Sequence, residues 1–120
     1  MRYRKIEHAI LKLIVNDTDP PGRGFTLSGL RNLVAQDVPD ASGSELVDAI
    51  KRLSHRGVEV LEPRKWNPDT RAFEAYKGAD DERFFWTGDF RLRKTPHTQP
   101  YFEELEREVG PEPERRKIGF

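Results

Sequence analysis

The chain has 120 residues, the size of one ordinary domain, and its 21 basic side chains balance 21 acidic ones. This balance excludes a uniformly basic nucleic-acid coat but not a local basic face. The chain has no cysteine, which excludes disulfides, cysteine-ligated zinc, iron–sulfur clusters and thiol nucleophiles.

The N-terminal segment predicts a first helix rather than a targeting segment. Ile6, Ile10 and Ile14 recur every four residues and share one helix face. His8 and Lys12 interrupt the apolar run, so the segment does not resemble a signal peptide. No stretch reaches the ~18 apolar residues that span a membrane. We therefore expect a soluble cytoplasmic protein without membrane contact.

A second, short helix is predicted to begin at Thr26, a residue type that caps helix N-termini. Leu30, Leu33 and Val34 form its apolar stripe. Gly29 lies inside this helix and weakens it by roughly 1 kcal/mol relative to alanine.

The third helix has the clearest pattern in the chain. Ser42 and Glu45 have the spacing of a capping box, in which each side chain bonds the other residue's backbone N–H. Ile50 lies in the apolar stripe that follows, and Gly57 is suited to the left-handed residue after the helix. We predict a helix over residues 43–56.

After this helix the apolar residues alternate, as they do in strands. Strands are predicted at 58–62, 71–76 and 83–87, joined by turns at 67–70 and 78–81. Short turns between successive strands predict an antiparallel meander.

A last helix is predicted to begin at Pro100, a residue type favoured in the first helical turn. Phe102, Leu105 and Val109 form its apolar side. A helix of about ten residues is marginal alone, so this strip should dock on its own domain, on a second copy in a homodimer, or on a protein partner.

The order of these elements resembles the winged-helix variant of the helix-turn-helix domain. The segment from Leu46 to Val60 carries the resemblance, because winged-helix recognition helices end in a leucine, a basic pair and a glycine and lead into the first wing strand. The resemblance implies an α+β fold in which a three-helix core is followed by a three-stranded antiparallel wing sheet and a short C-terminal helix. It assigns 1–95 to a winged-helix domain with an extended wing, 96–110 to the C-terminal helix and 111–120 to a disordered tail.

Residues suited to phosphates and base edges lie on the exposed face of the third helix and in the wing. The candidate DNA-binding residues are Ser44, Lys51, Arg52, His55, Arg64, Lys65 and Arg71. Asp48 opposes this interpretation, since a carboxylate repels phosphate, and it could instead pair with Arg52 on a solvated helix face. Trp66, beside the wing turn, either packs within the protein itself or stacks on a base or on a partner.

A second basic cluster, Arg91, Arg93 and Lys94, falls in a segment with little periodicity and could equally be a solvated loop. The three histidines are scattered, and the chain has no glycine-rich phosphate loop. We therefore expect no catalysis, no cofactor and no metal.

Two functions follow from the resemblance. The first is a DNA-binding transcriptional regulator that reads duplex DNA with the third helix and wing. The alternative is a winged-helix interaction module that does not bind DNA and uses its aromatic wing or acidic last helix.

Overall fold

The computed structural model describes residues 2–20, 22–55, 59–76 and 82–109. They form an α+β fold of four helices and one four-stranded antiparallel sheet, as the predicted fold class requires. In chain order the elements are α1 (Arg2–Ile14), β1 (Arg23–Phe25), α2 (Leu27–Val34), α3 (Gly43–Leu53), β2 (Leu61–Asn67), β3 (Ala72–Ala75), a 3-10 helix (Glu82–Phe84), β4 (Phe90–Lys94) and α4 (Thr98–Val109).

Both predicted helix caps are confirmed. The Thr26 side chain accepts a 3.0 Å hydrogen bond from Gly29 N at the start of α2. At the start of α3, Glu45 N donates to Ser42 Oγ at 3.2 Å and Ser42 N donates to Glu45 Oε1 at 3.0 Å. These bonds satisfy backbone N–H groups that a helix leaves unpaired at its beginning.

The core joins the first three helices to one face of the sheet. Its centre contains five buried residues of the first three helices, which belong to one cluster: Ile10, Leu30, Leu46, Ile50 and Leu53. Leu61 and Leu92 contribute from β2 and β4. The helical and strand periodicities therefore identify the core correctly.

The sheet has the order β1-β4-β2-β3, with every neighbouring pair antiparallel. It has four strands where three were predicted. Strand β1 has only three residues and was not predicted, since so short a segment carries no alternating pattern. It forms by pairing with β4, a partner far away in the chain.

The strand predicted at 83–87 is wrong. Phe84 and Phe85 are both buried, although neighbouring residues of a strand point to opposite faces. Trp86 N instead donates to Arg83 O at 3.1 Å, closing a helical turn. The next strand is β4 at Phe90–Lys94, in the segment where the sequence shows little periodicity.

The first predicted wing strand, 58–62, lies too early, because β2 spans Leu61–Asn67. The predicted turn at 67–70 is confirmed. Asp69 N donates to Asn67 Oδ1 at 2.9 Å, and Arg71 N donates to Asn67 O at 2.8 Å. Strand β3 then lies within the predicted 71–76.

Three predictions fall outside the described residues: the helix stop at Gly57, the turn at 78–81 and the disordered tail at 111–120. The predicted helix over 43–56 is too long, because α3 ends at Leu53 and Ser54 is its C-cap.

The last helix, α4, docks on α1 of its own chain. Leu105 is buried in the core, and the Phe102 ring stacks on His8 with centroids 5.1 Å apart. The strip predicted for a homodimer or protein partner is thus largely covered within the chain, with Val109 half-buried at its end. No helix in the described ranges has the length and apolar content needed to cross a membrane.

Candidate nucleic-acid interface

The solvent-facing stripe of α3 forms one wall of a cleft of about 380 Å³. The other wall is formed by Arg83, in the 3-10 helix, and by Trp86, in the turn that follows it. We call this the α3 cleft; its lining residues are Ser44, Val47, Asp48, Lys51, Arg83 and Trp86. It therefore combines two predicted DNA contacts, Ser44 and Lys51, with Arg83 and Trp86, which were not predicted as DNA contacts.

Trp86 is 55% exposed, which is unusual for so large an apolar side chain. Its ring lies against the first turn of α3, where a β-carbon added to Gly43 would stand 3.4 Å from it. Glycine at this position lets the indole lie close to the start of α3. The sequence clue was the run Arg83 to Trp86, whose consecutive aromatic residues do not fit an alternating strand.

Lys65 positions the turn that carries Trp86. Its Nζ donates to Phe84 O at 2.9 Å and to Thr87 Oγ1 at 3.0 Å, and it also bonds Thr87 O. The ammonium lies 5.4 Å from the centre of the Phe84 ring, within cation–π range. Lys65 was predicted to contact DNA, but in the structure its ammonium bonds groups of its own chain and supports the far wall of the α3 cleft.

Arg52 leans away from the cleft towards α1. Its Nε donates a 2.8 Å hydrogen bond to Oε2 of Glu7, which is 2% exposed, and its guanidinium lies 5.0 Å from the Tyr3 ring centre. The ion pair with Asp48 considered from the sequence is therefore replaced by one with Glu7.

Glu7 also holds α4. Its Oε1 accepts a 2.9 Å hydrogen bond from Tyr101 Oη and lies 3.7 Å from the Arg4 guanidinium. Burial, followed by the hydrogen bond to Glu7, raises the pKa of Tyr101 to about 12. One buried carboxylate thus joins α1, α3 and α4.

The remaining predicted contacts lie elsewhere. Arg64 is on the sheet face away from the core, 3.5 Å from Glu62. Arg71 is exposed in the β2–β3 turn and has a positive φ of 55°. His55 is exposed just beyond α3 and makes contacts of its own. The seven predicted residues therefore do not form one surface.

The first turn of α3 carries an ion-pair network. Arg2 donates to Glu45 Oε2 at 2.6 Å and to Asp40 Oδ1 at 2.9 Å. The hydrogen bond from Arg2, together with that from Ser42 N, lowers the pKa of Glu45 to about 2. Arg2 thus balances a carboxylate that would otherwise repel phosphate, and Asp48 is left as the acidic residue of the cleft.

Within the described parts of the chain, no three histidine, aspartate or glutamate side chains are grouped so that they could hold a metal ion. We compared the chain with protein-family models, curated proteins and solved structures. None of them matches.

Proposed function

We propose that this protein binds duplex DNA as a winged-helix transcriptional regulator, with α3 entering the major groove. The observation that carries the proposal is the open stripe of α3: Ser44 and Asp48 are exposed, and Lys51 and Arg83 lie beside them. The major groove of B-DNA is wide enough for an α-helix. The exposed stripe of α3 is the face that contacts the groove in this proposal.

The order of elements also supports this proposal. Three helices precede the main part of the sheet, and α3 is followed by the strand pair β2 and β3. Strand β1, between α1 and α2, pairs with β4 and so places the sheet beside the helices. This arrangement agrees with the winged-helix resemblance, in which the hairpin forms the wing.

The four polar and charged cleft residues each have a chemical role in the proposed complex. Lys51 and Arg83 pair with phosphates on the two sides of the groove, and Ser44 donates to a phosphate near the start of α3. Asp48 repels phosphate, so it must face a base edge, where it can accept a hydrogen bond from a cytosine amino group. A preference for cytosine at one position follows from this role.

The test is a titration of mixed-sequence duplex DNA at several salt concentrations. Each lost phosphate contact reduces the magnitude of the negative slope of log K against log salt by about 0.9, so Lys51→Ala with Arg83→Ala should reduce this magnitude by about two units. The matched control is Lys5→Ala with Arg107→Ala, which removes the same charge from exposed positions on α1 and α4. Equal losses from the two pairs, or no binding by the native chain, contradict the proposal.

The second candidate is a protein-interaction module, which the exposed Trp86 ring beside acidic Asp48 favours. An exposed tryptophan in a cleft is a common anchor for a protein partner. If the α3 cleft has this function, the native chain gives no salt-dependent DNA binding. Trp86→Ala then abolishes capture of a protein partner while Lys51→Ala has little effect.

A further inference from the structure

A second surface lies on the sheet face that points away from the core. Cross-strand partners share a face, and successive side chains alternate between faces. The register pairs Glu62 with Arg93, Arg64 with Arg91, and Trp66 with Phe73. We call this the outer face; its side chains are Glu62, Arg64, Trp66, Phe73, Arg91 and Arg93.

The aromatic side chains of the outer face are held in place by contacts with each other and with Arg91. Trp66 is 50% exposed and meets Phe73 edge to face, with ring centroids 5.1 Å apart. The Arg91 guanidinium lies 5.0 Å from the Phe73 ring centre and is itself fixed by Asp19 Oδ2 at 3.0 Å and Gly22 O at 2.6 Å. Trp66 is thus braced on one side and open to solvent on another.

The charge of the outer face is positive although the whole chain has a formal net charge of +0. Glu62 is shared by two guanidiniums, at 3.5 Å from Arg64 and 3.2 Å from Arg93. Asp19 is the partner of Arg91. Three arginines therefore face two carboxylates, and the Arg93 side chain is 48% exposed. The excess charge lies on the same face of the sheet as the open indole.

We propose that the outer face binds single-stranded nucleic acid, with one unpaired base stacked on Trp66 and neighbouring phosphates on Arg64 and Arg93. Proteins that bind single strands combine aromatic stacking surfaces with basic side chains that follow the backbone. A duplex keeps its bases paired and stacked, so it offers no base face to Trp66. An acidic peptide would meet the arginines but would not need the indole.

This surface shares no residue with the α3 cleft. Its test therefore uses single strands and Trp66, while the duplex test uses Lys51 and Arg83. Either function can fail without the other.

The experiment measures the binding of labelled oligo-dT and oligo-rU of about twelve nucleotides, within the ~4–16 nucleotides of typical single-strand sites. We expect Trp66→Ala to weaken binding by roughly 5- to 150-fold, the range found for the loss of one stacked base. Trp86→Ala is the matched control, since it removes an equally exposed indole from the α3 cleft, and it should leave this affinity unchanged. Arg93→Ala should reduce the magnitude of the negative salt slope by about 0.7, the value for one single-strand phosphate.

A second measurement avoids any loss of fold in Trp66→Ala. In the Trp86→Phe variant, Trp66 is the one remaining tryptophan of the two in the chain. A base stacked on Trp66 should quench its fluorescence on titration with oligo-dT. Three outcomes overturn the proposal: no binding at about 50 mM salt, where phosphate contacts are strong; equal loss from Trp66→Ala and Trp86→Ala; or binding without quenching that polyglutamate displaces, which would make the face an acidic-protein surface.

Discussion

Arg52 in α3 donates a 2.8 Å hydrogen bond from Nε to Oε2 of Glu7 in α1, and this contact ties the candidate DNA-reading helix to the first helix. Glu7 is buried and also accepts from Tyr101 in α4. The arginine that sequence reasoning assigned to DNA therefore has a structural partner. Loss of DNA binding on changing Arg52 would not identify a DNA contact, which is why the duplex test uses Lys51 and Arg83.

We expect Arg52→Ala to lower the free energy of unfolding by about 1.5–3 kcal/mol, the usual contribution of a hydrogen bond to a charged group. The loss arises because Glu7 stays buried with one fewer donor. Urea denaturation measures it, and Arg31→Ala, at an exposed position on α2, should change stability by less than ~0.5 kcal/mol. Coupling between Arg52→Ala and Glu7→Gln should make the double change cost less than the sum of the two.

Ile50 lies fully buried at the centre of the core. Ile50→Ala should cost ~2–5 kcal/mol, because it removes buried methyl groups and leaves a cavity. For a domain whose total stability is ~5–15 kcal/mol, this is a large fraction. An unchanged thermal midpoint would show that α3 packs differently.

Glu45 should contribute to acid sensitivity. Its folded pKa, lowered to about 2 by Arg2 and Ser42, lies below the ordinary value of 4.5. Its contribution to stability is therefore complete above about pH 4.5 and is lost as pH falls towards 2. In Arg2→Ala the carboxyl pKa, followed by NMR, should rise towards 4.5. A pKa that does not move would show that Ser42 alone sets it.

Lys65 should control the order of the turn that carries Trp86. Lys65→Met keeps the length of the side chain but removes the bonds to Phe84 O and Thr87. The amides of Trp86 and Thr87, which donate to Arg83 O, should then exchange faster with solvent. Amides in α1 serve as the internal reference; equal acceleration there would indicate global destabilisation instead.

Because α4 docks on its own domain, we expect that it does not mediate dimerisation and that the chain is a monomer. Leu105→Ala should destabilise it by ~2–5 kcal/mol, whereas Glu104→Ala, one residue away and exposed, should have little effect. Sedimentation of the native chain should give the monomer mass, because Leu105 is already covered by its own domain. A dimer that dissociates on Leu105→Ala would contradict this docking.

Local features of this protein could be read from the sequence because their causes are local. The Thr26 cap involves Gly29, and the Ser42 capping box involves Glu45; in each pair the residues are three positions apart. The stripe through Ile50 follows from helix periodicity. Together these patterns predicted the caps and the centre of the core, whereas the α+β class was what the winged-helix resemblance implied.

Only the tertiary structure decided which charged side chains remain available to a partner. Arg52 meets Glu7 across 45 positions of the chain, and Lys65 meets Thr87 across 22. Likewise, β1 becomes a strand only by pairing with β4, and the basic cluster through Arg91 and Arg93 becomes the outer face only when β4 joins β2. The position of a long polar side chain depends on which partners the fold brings within hydrogen-bond distance. The order of residues along the chain does not contain these distances.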